Sequence, residues 1–150
     1  MAFNINDWVE ICRKEEGSSC VYYSAALLAA VGRTRYLVRY ETRLIPDGTR
    51  LLTEVVGADE VRPWPPDSSY FDFVVSHRID AFVDKAWRVG TVTKRVDPNY
   101  YVKLDCNGNE AHCPFFKVRR HLEWQNGTWL SPATQSQGDS SAAPGDKPGN

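Results

Sequence analysis

Few residues in this chain could carry covalent or acid–base chemistry, and they are scattered. The three histidines, His77, His112 and His121, stand outside any nucleophile or metal motif, and the sequence holds no G-x-S-x-G, H-E-x-x-H or phosphate-cradling glycine loop. Catalysis is not expected, and no cofactor is implied. Cys12 and Cys20 are separated by seven residues, Cys106 and Cys113 by six, whereas structural zinc knuckles use two to four. His112 and His121 lie near the second pair, which leaves zinc as a minority reading. Small buried hydrophobes are the plainer one. What remains is aromatic surface: five Trp, seven Tyr and six Phe, with carboxylates beside several of them, as in Tyr40-Glu41. Aromatic faces with a nearby carboxylate attract cations.

Charge excludes other classes. Eighteen basic residues against nineteen acidic ones give a net charge of −1, so no global field draws nucleic-acid phosphates. One local run, "KVRRH" at 117–121 with Lys94 and Arg95, offers a basic edge as an alternative; a strand edge guarded by charge is the simpler account. No apolar run approaches the roughly 18–20 residues of a membrane span, and the N-terminus lacks the apolar core of a secretory signal. A soluble intracellular protein with four reduced cysteines is expected. Asn126-Gly127-Thr128 then reads as a turn rather than a glycosylation site.

The elements that must position these side chains read as strands, because short runs of Val, Ile, Leu and Tyr alternate with turn residues. Strands are expected at about 8–12, 21–30, 35–44, 50–56, 73–83, 87–95, 100–105 and 110–116. "SAALLAAVG" at 24–32 has helical composition, but it ends at Gly32 after the β-type "CVYY", so it is taken as a long strand. A helical turn is expected near Ala58–Val61, before Pro63. "RPWPPDSSY" (62–70) reads as a stiff linker. From Ser131 the chain is too poor in apolar residues to offset its ordering entropy, and a disordered tail is expected.

The two halves repeat one pattern. Val9-Glu10-Ile11 corresponds to Ile79-Asp80-Ala81, and "YYSAALLAA" from Tyr22 to "WRVGTVTKR" from Trp87. "YLVRYE" (36–41) matches "YYVKLD" (100–105), and "EVRPW" (60–64) matches "KVRRH" (117–121). Four matches in one order make an internal duplication. Each copy has four or five strands, the size at which a sheet curls into a barrel to cover its edges.

These residues resemble the Agenet repeats of plant chromatin proteins, over about residues 7 to 130. The V-E-I opening, the D-G-T-R-L-L acidic loop, the V-R-P-W-P-P exit and the closing H-L-E-W carry the resemblance together. It implies an all-β fold of two tandem Tudor-like barrels packed together: 7–64, a linker at 65–72, 73–130, and the tail at 131–150. It also implies a monomeric nuclear protein whose partner is the histone H3 tail carrying a methylated lysine, the dimethylated ninth residue in the best-understood relatives. Neither nucleic acid nor membrane is expected as a partner.

In such readers an aromatic cage holds a methylammonium, which keeps its charge but loses hydration, at about 0.5–2 kcal/mol per aromatic face. The family pattern points to Tyr22, Tyr40 and Glu41 as the cage, with Glu15, Glu16, Tyr23, Phe82, Asp84 and Trp87 along the peptide groove. Tyr22 and Tyr23 face opposite sides of a strand, so only one of them can line the cage, and the family pattern selects Tyr22. The bland alternative is that these are ordinary sheet tyrosines. The second copy has Leu104 where the first has Tyr40, and Arg88 after Trp87; it is read as a packing partner, although Trp87, Phe82 and Tyr100 leave the opposite assignment open. Tyr36 and Tyr100 are assigned to the cores, Trp64, Tyr70, Phe71 and Phe73 to gluing the barrels, and Trp124 and Trp129 to closing the second. Relatives usually carry Trp at the Tyr22 position, so a micromolar or weaker affinity is expected, about −8 kcal/mol or less favourable. A scaffold that binds its partner regardless of methylation is the competing reading.

Overall fold

The computed structural model describes residues 3–14, 20–66 and 72–131. The first unit comprises β1 (Trp8–Lys14), β2 (Cys20–Val31), β3 (Arg35–Leu44), β4 (Leu51–Gly57) and β5 (Val61–Pro63). The second comprises β6 (Arg78–Val83), β7 (Ala86–Val96), β8 (Asn99–Leu104), β9 (Glu110–Cys113) and β10 (Val118–Arg120). A closing hairpin, β11 (Glu123–Gln125) and β12 (Thr128–Leu130), sets Trp124 opposite Trp129. The tail beyond 131, and with it Glu15, Glu16, Tyr70 and Phe71, lies outside the described residues.

Both units have the same antiparallel order, β4-β3-β2-β1-β5 and β9-β8-β7-β6-β10. Each enters its last strand through a one-turn 3-10 helix, at Ala58–Glu60 and Phe115–Lys117. The duplication extends to the backbone. Asn6 and Ser76 both take a left-handed φ just before the opening strand, and each donates its N–H to the long second strand, at Leu27 O (2.7 Å) and Val92 O (2.8 Å). This kink explains why β6 starts at Arg78 and not near residue 73: the left-handed turn at Ser76 cannot continue a ladder.

The segment 24–32 is strand, despite its Ala and Leu content. β2 is bonded to β1 along one edge and to β3 along the other, and such pairing overrides a weak helical preference. A register shift between Leu27 and Ala29 bends the strand where it passes from one neighbour to the other.

Alternation then builds two cores. Val9 and Ile11 of β1, Val21, Tyr23 and Ala25 of β2, and Val38 and Tyr40 of β3 meet inside the first unit. Ile79, Ala81, Val92, Tyr100, Val102, Leu104 and Val118 fill the second, joined by Phe73. Phe73 is thus a core residue of one unit rather than glue between two. Trp64 also departs from that role, since it lies half-exposed against Trp8, ring centres 6.0 Å apart.

The units are joined instead through β2 and β7, which pair at Val21–Arg88 and Tyr22–Trp87 and merge the two sheets into one. Cys106 and Cys113 are free, as expected, whereas Cys12 is disulfide-bonded, contrary to the expectation of four reduced thiols.

Candidate functional site

Strand alternation separates Tyr22 from Tyr23, and each belongs to a different cluster. Tyr23 points into the first barrel, where its ring meets that of Tyr40 edge-on, centres 5.9 Å apart and planes at 82°. Both rings are nearly inaccessible, Tyr40 at 0% and Tyr23 at 7% exposure. The half-buried guanidinium of Arg43 lies over both, its Cζ 4.8 Å from the Tyr23 centre and 4.7 Å from that of Tyr40.

Tyr40 Oη donates to Glu54 Oε1 at 2.5 Å, and Arg13 Nη2 reaches the same oxygen at 2.6 Å. Burial, and then this bond to a carboxylate, push the Tyr40 phenol up to about 12, so it stays neutral. Burial works against the Glu54 anion, but the Tyr40 and Arg13 hydrogen bonds outweigh it and hold the carboxyl below its ordinary value. The notch is therefore two rings and one anion, with Arg43 over the rings and Arg13 on the anion.

Tyr22 faces the second barrel. Arg62 lies over its ring, Cζ 3.6 Å from the ring centre, and Arg119 lies over its cross-strand partner Trp87 at 4.2 Å. The arginines occupy matching places in the two copies, and so do the acids they bind. Arg62 donates through Nη2 and Nε to Glu10 Oε1 at 2.9 and 3.1 Å. Arg119 donates Nε to Asp80 Oδ2 at 3.0 Å and crosses the interface with Nη1 to Glu10 Oε2 at 2.7 Å. His121 bridges Asp80 (2.7 Å) and Glu123 (2.5 Å). Burial disfavours its imidazolium, yet the two carboxylates push its pKa up to about 9. With His121 protonated, three cations face three anions, and Glu10, Asp80 and Arg62 are almost wholly buried. Such closure is what makes buried charge tolerable.

Residues 6–66 match the family model of the Agenet domain. Two solved structures are similar over both halves: one described as Arabidopsis thaliana AGDP1 AGD34 (TM-score 0.82, 28% identity, 87% of this chain and 90% of that one), the other as ADCP1 tandem Agenet domain 3-4 (TM-score 0.78, 26% identity, 87% and 89%). The chain belongs to the Agenet family. Among its curated relatives from Arabidopsis thaliana, "DUF724 domain-containing protein 3" is 32% identical over 91% of this chain, and "Protein AGENET DOMAIN (AGD)-CONTAINING P1" 30% over 87%. This Agenet tandem spans only 21% and 25% of those two proteins. Agenet and Tudor-like tandems are typical of chromatin readers, a family of binding modules rather than enzymes.

Within the Agenet frame the site residues rearrange. Tyr22 does not converge with Tyr40: the strand parity that puts Tyr23 beside Tyr40 turns Tyr22 onto Arg62. Glu41 is exposed, because it follows an inward-facing residue; the carboxylate at the Tyr40 hydroxyl is Glu54. Phe82 and Trp87 pack edge-on at 5.2 Å, with Trp87 under Arg119. Asp84 stands exposed in the β6–β7 turn. Glu15 and Glu16 lie outside the described residues. In the second Agenet copy Arg88 and Leu104 replace Tyr23 and Tyr40, and Arg88 Nε donates to Val83 O at 2.9 Å, so that copy has no matching notch. "KVRRH" is not a free basic edge, because Val118, Arg119 and His121 are committed to the core and the interface. Sequence reasoning missed Arg43, which shares β3 with Tyr40 but stands at an odd spacing from it, and Glu54, which meets Tyr40 only once β4 pairs with β3. It also missed the interface network, for which a signal existed: an acid and an arginine at matched positions in both copies.

Proposed function

We propose that this Agenet tandem is a nuclear chromatin reader that takes a methylated lysine of the histone H3 tail, with the dimethylated ninth residue as its target. The methylammonium enters the Tyr23–Tyr40 notch of the first barrel, beside the Glu54 carboxylate that it would share with Arg13. One observation carries this reading: a cation already lies within 5 Å of both ring centres, so the notch is shaped and charged for a large, weakly hydrated cation. Exposed Glu41 and Asp84 would meet the basic flanks of the tail.

The competing scaffold reading draws on the near-complete burial of both rings. Titration of H3 peptides bearing zero to three methyl groups on the ninth residue separates the two. Tyr40→Leu places in the first copy what the second carries naturally as Leu104, which keeps the core apolar while removing a π face. Methyl-dependent binding is expected to fall about tenfold or more in Tyr40→Leu and Tyr23→Leu, and to persist in Tyr22→Phe. Equal binding of all methylation states by the unaltered protein would leave only the scaffold.

A further inference from the structure

We propose that Arg43 is a built-in competitor for the Tyr23–Tyr40 notch, a residue that sets ligand affinity because a ligand cation must displace it. This rests on the reading of the notch as the methyl-lysine site. Three observations carry it. The Arg43 guanidinium sits 4.7–4.8 Å from both ring centres, the place a bound methylammonium would take. Arg43 is half-buried while the rings beneath it are almost fully covered, so it stands between them and solvent. Finally, the β3–β4 register breaks between Arg39 and Leu44, so Arg43 is carried on a stretch of β3 that the neighbouring ladder does not clamp.

Arginine suits this role because its guanidinium is weakly hydrated and stacks on aromatic faces. As a tethered cation it fills the notch without a partner and lowers ligand affinity by the fraction of time it is in place. A bare ammonium, strongly hydrated, gains too little from the rings to displace it, whereas a methylated one has already lost much of its hydration. Arg43 therefore sets the threshold for binding, and the rings set the discrimination. Because one competitor opposes all ligands alike, its removal should tighten every methylation state by the same factor and leave their ratio unchanged.

The test measures H3 peptide affinity for the unaltered protein, Arg43→Ala and Arg43→Lys, while NMR follows the Arg43 δ-methylene protons, which stacking shifts upfield. The expected result is about three- to tenfold tighter binding of the dimethylated peptide by Arg43→Ala. Arg43→Lys should fall between, the methylated-to-unmethylated ratio should hold, and the Arg43 protons should lose their upfield shift as peptide is added. Methyl-selective binding that is no tighter in Arg43→Ala, or that leaves the Arg43 protons in place, overturns the competitor while sparing the reader. Absence of methyl selectivity in both the unaltered protein and Arg43→Ala overturns both. Methyl-selective binding too weak to measure in the unaltered protein but measurable in Arg43→Ala supports both.

Discussion

Arg62 lies on the face of Tyr22 with its guanidinium carbon 3.6 Å from the ring centre, while two of its nitrogens hold Glu10. The cation–aromatic contact expected to recognise a ligand is here made within the first barrel, on the side where Arg62 Nη1 also donates to Leu122 O of the second half. Arg119 repeats it on Trp87, so the positions that the duplication pairs most clearly are those that hold the tandem together.

Glu10 is the hinge of this arrangement, since it accepts from both arginines. Glu10→Ala leaves two guanidiniums without their shared anion at a buried site, at a cost of about 3–5 kcal/mol. Urea denaturation should show this as a lower midpoint. A loss below about 1 kcal/mol, the range of an exposed ion pair, would mean that water reaches the network.

The network also fixes a pH dependence. The His121 pKa, raised to about 9 from an ordinary 6.5, means that the folded chain holds this proton more tightly than the unfolded one. The resulting stabilisation is complete below pH 6.5 and is lost as pH rises through about 9; it is of the order of 3 kcal/mol. Asp80 has the opposite sign. Burial works against its anion, but the bonds to His121 and Arg119 hold its pKa below the ordinary 3.8, so its contribution is present above that value and lost on acidification. Unfolding free energies between pH 6 and 10 should fall with pH in the unaltered protein and remain flatter in His121→Gln. An equal slope in both would place the titration elsewhere.

The fold was legible because duplication is a long-range signal written locally: Val9-Glu10-Ile11 and Ile79-Asp80-Ala81 announce the same strand twice. The partner of Tyr40 was not, although the alternation that settles it was in view. Tyr23 and Ala25 share a face, and Ala25 lies opposite Tyr40. That register depends on where the bulge at Leu27–Ala29 falls, and a bulge reverses parity without a sequence marker. Arg43 and Glu54 were hidden for another reason. Arg43 reaches the notch from within the register break in β3, and Glu54 from the next strand, β4.

Gly90 should resist substitution. It lies in β7 between Ile79 and Leu104, and an added Cβ would fall 2.6 Å from Val102 Cγ1 and 2.7 Å from the Lys103 carbonyl oxygen. The side chain could give way, but the backbone oxygen cannot move without disturbing the β7–β8 ladder. Gly90→Ala is expected to cost about 1–3 kcal/mol and to lower the thermal midpoint; an unchanged midpoint would mean that the strands part freely there.

The β6–β7 turn offers the reverse case. Asp84 and Lys85, with φ of 52° and 65°, link Val83 to Ala86 in a two-residue hairpin that needs left-handed backbone at both positions. Lysine in that region carries about 1–2 kcal/mol of steric cost. Glycine removes it and returns about 0.4–1 kcal/mol through a looser unfolded chain. Lys85→Gly should therefore stabilise by about 0.5–1 kcal/mol, the difference between the two. The Thr42 hydroxyl bond to residue 85 survives, because it is made to the backbone carbonyl. Ala86, next to the turn, packs in the core of the first barrel, and β7 is bonded to β2. The gain should consequently move one cooperative unfolding transition of both barrels. Two resolved transitions, with only the second shifted, would show that the barrels unfold separately and that their shared strand pairing is too weak to couple them.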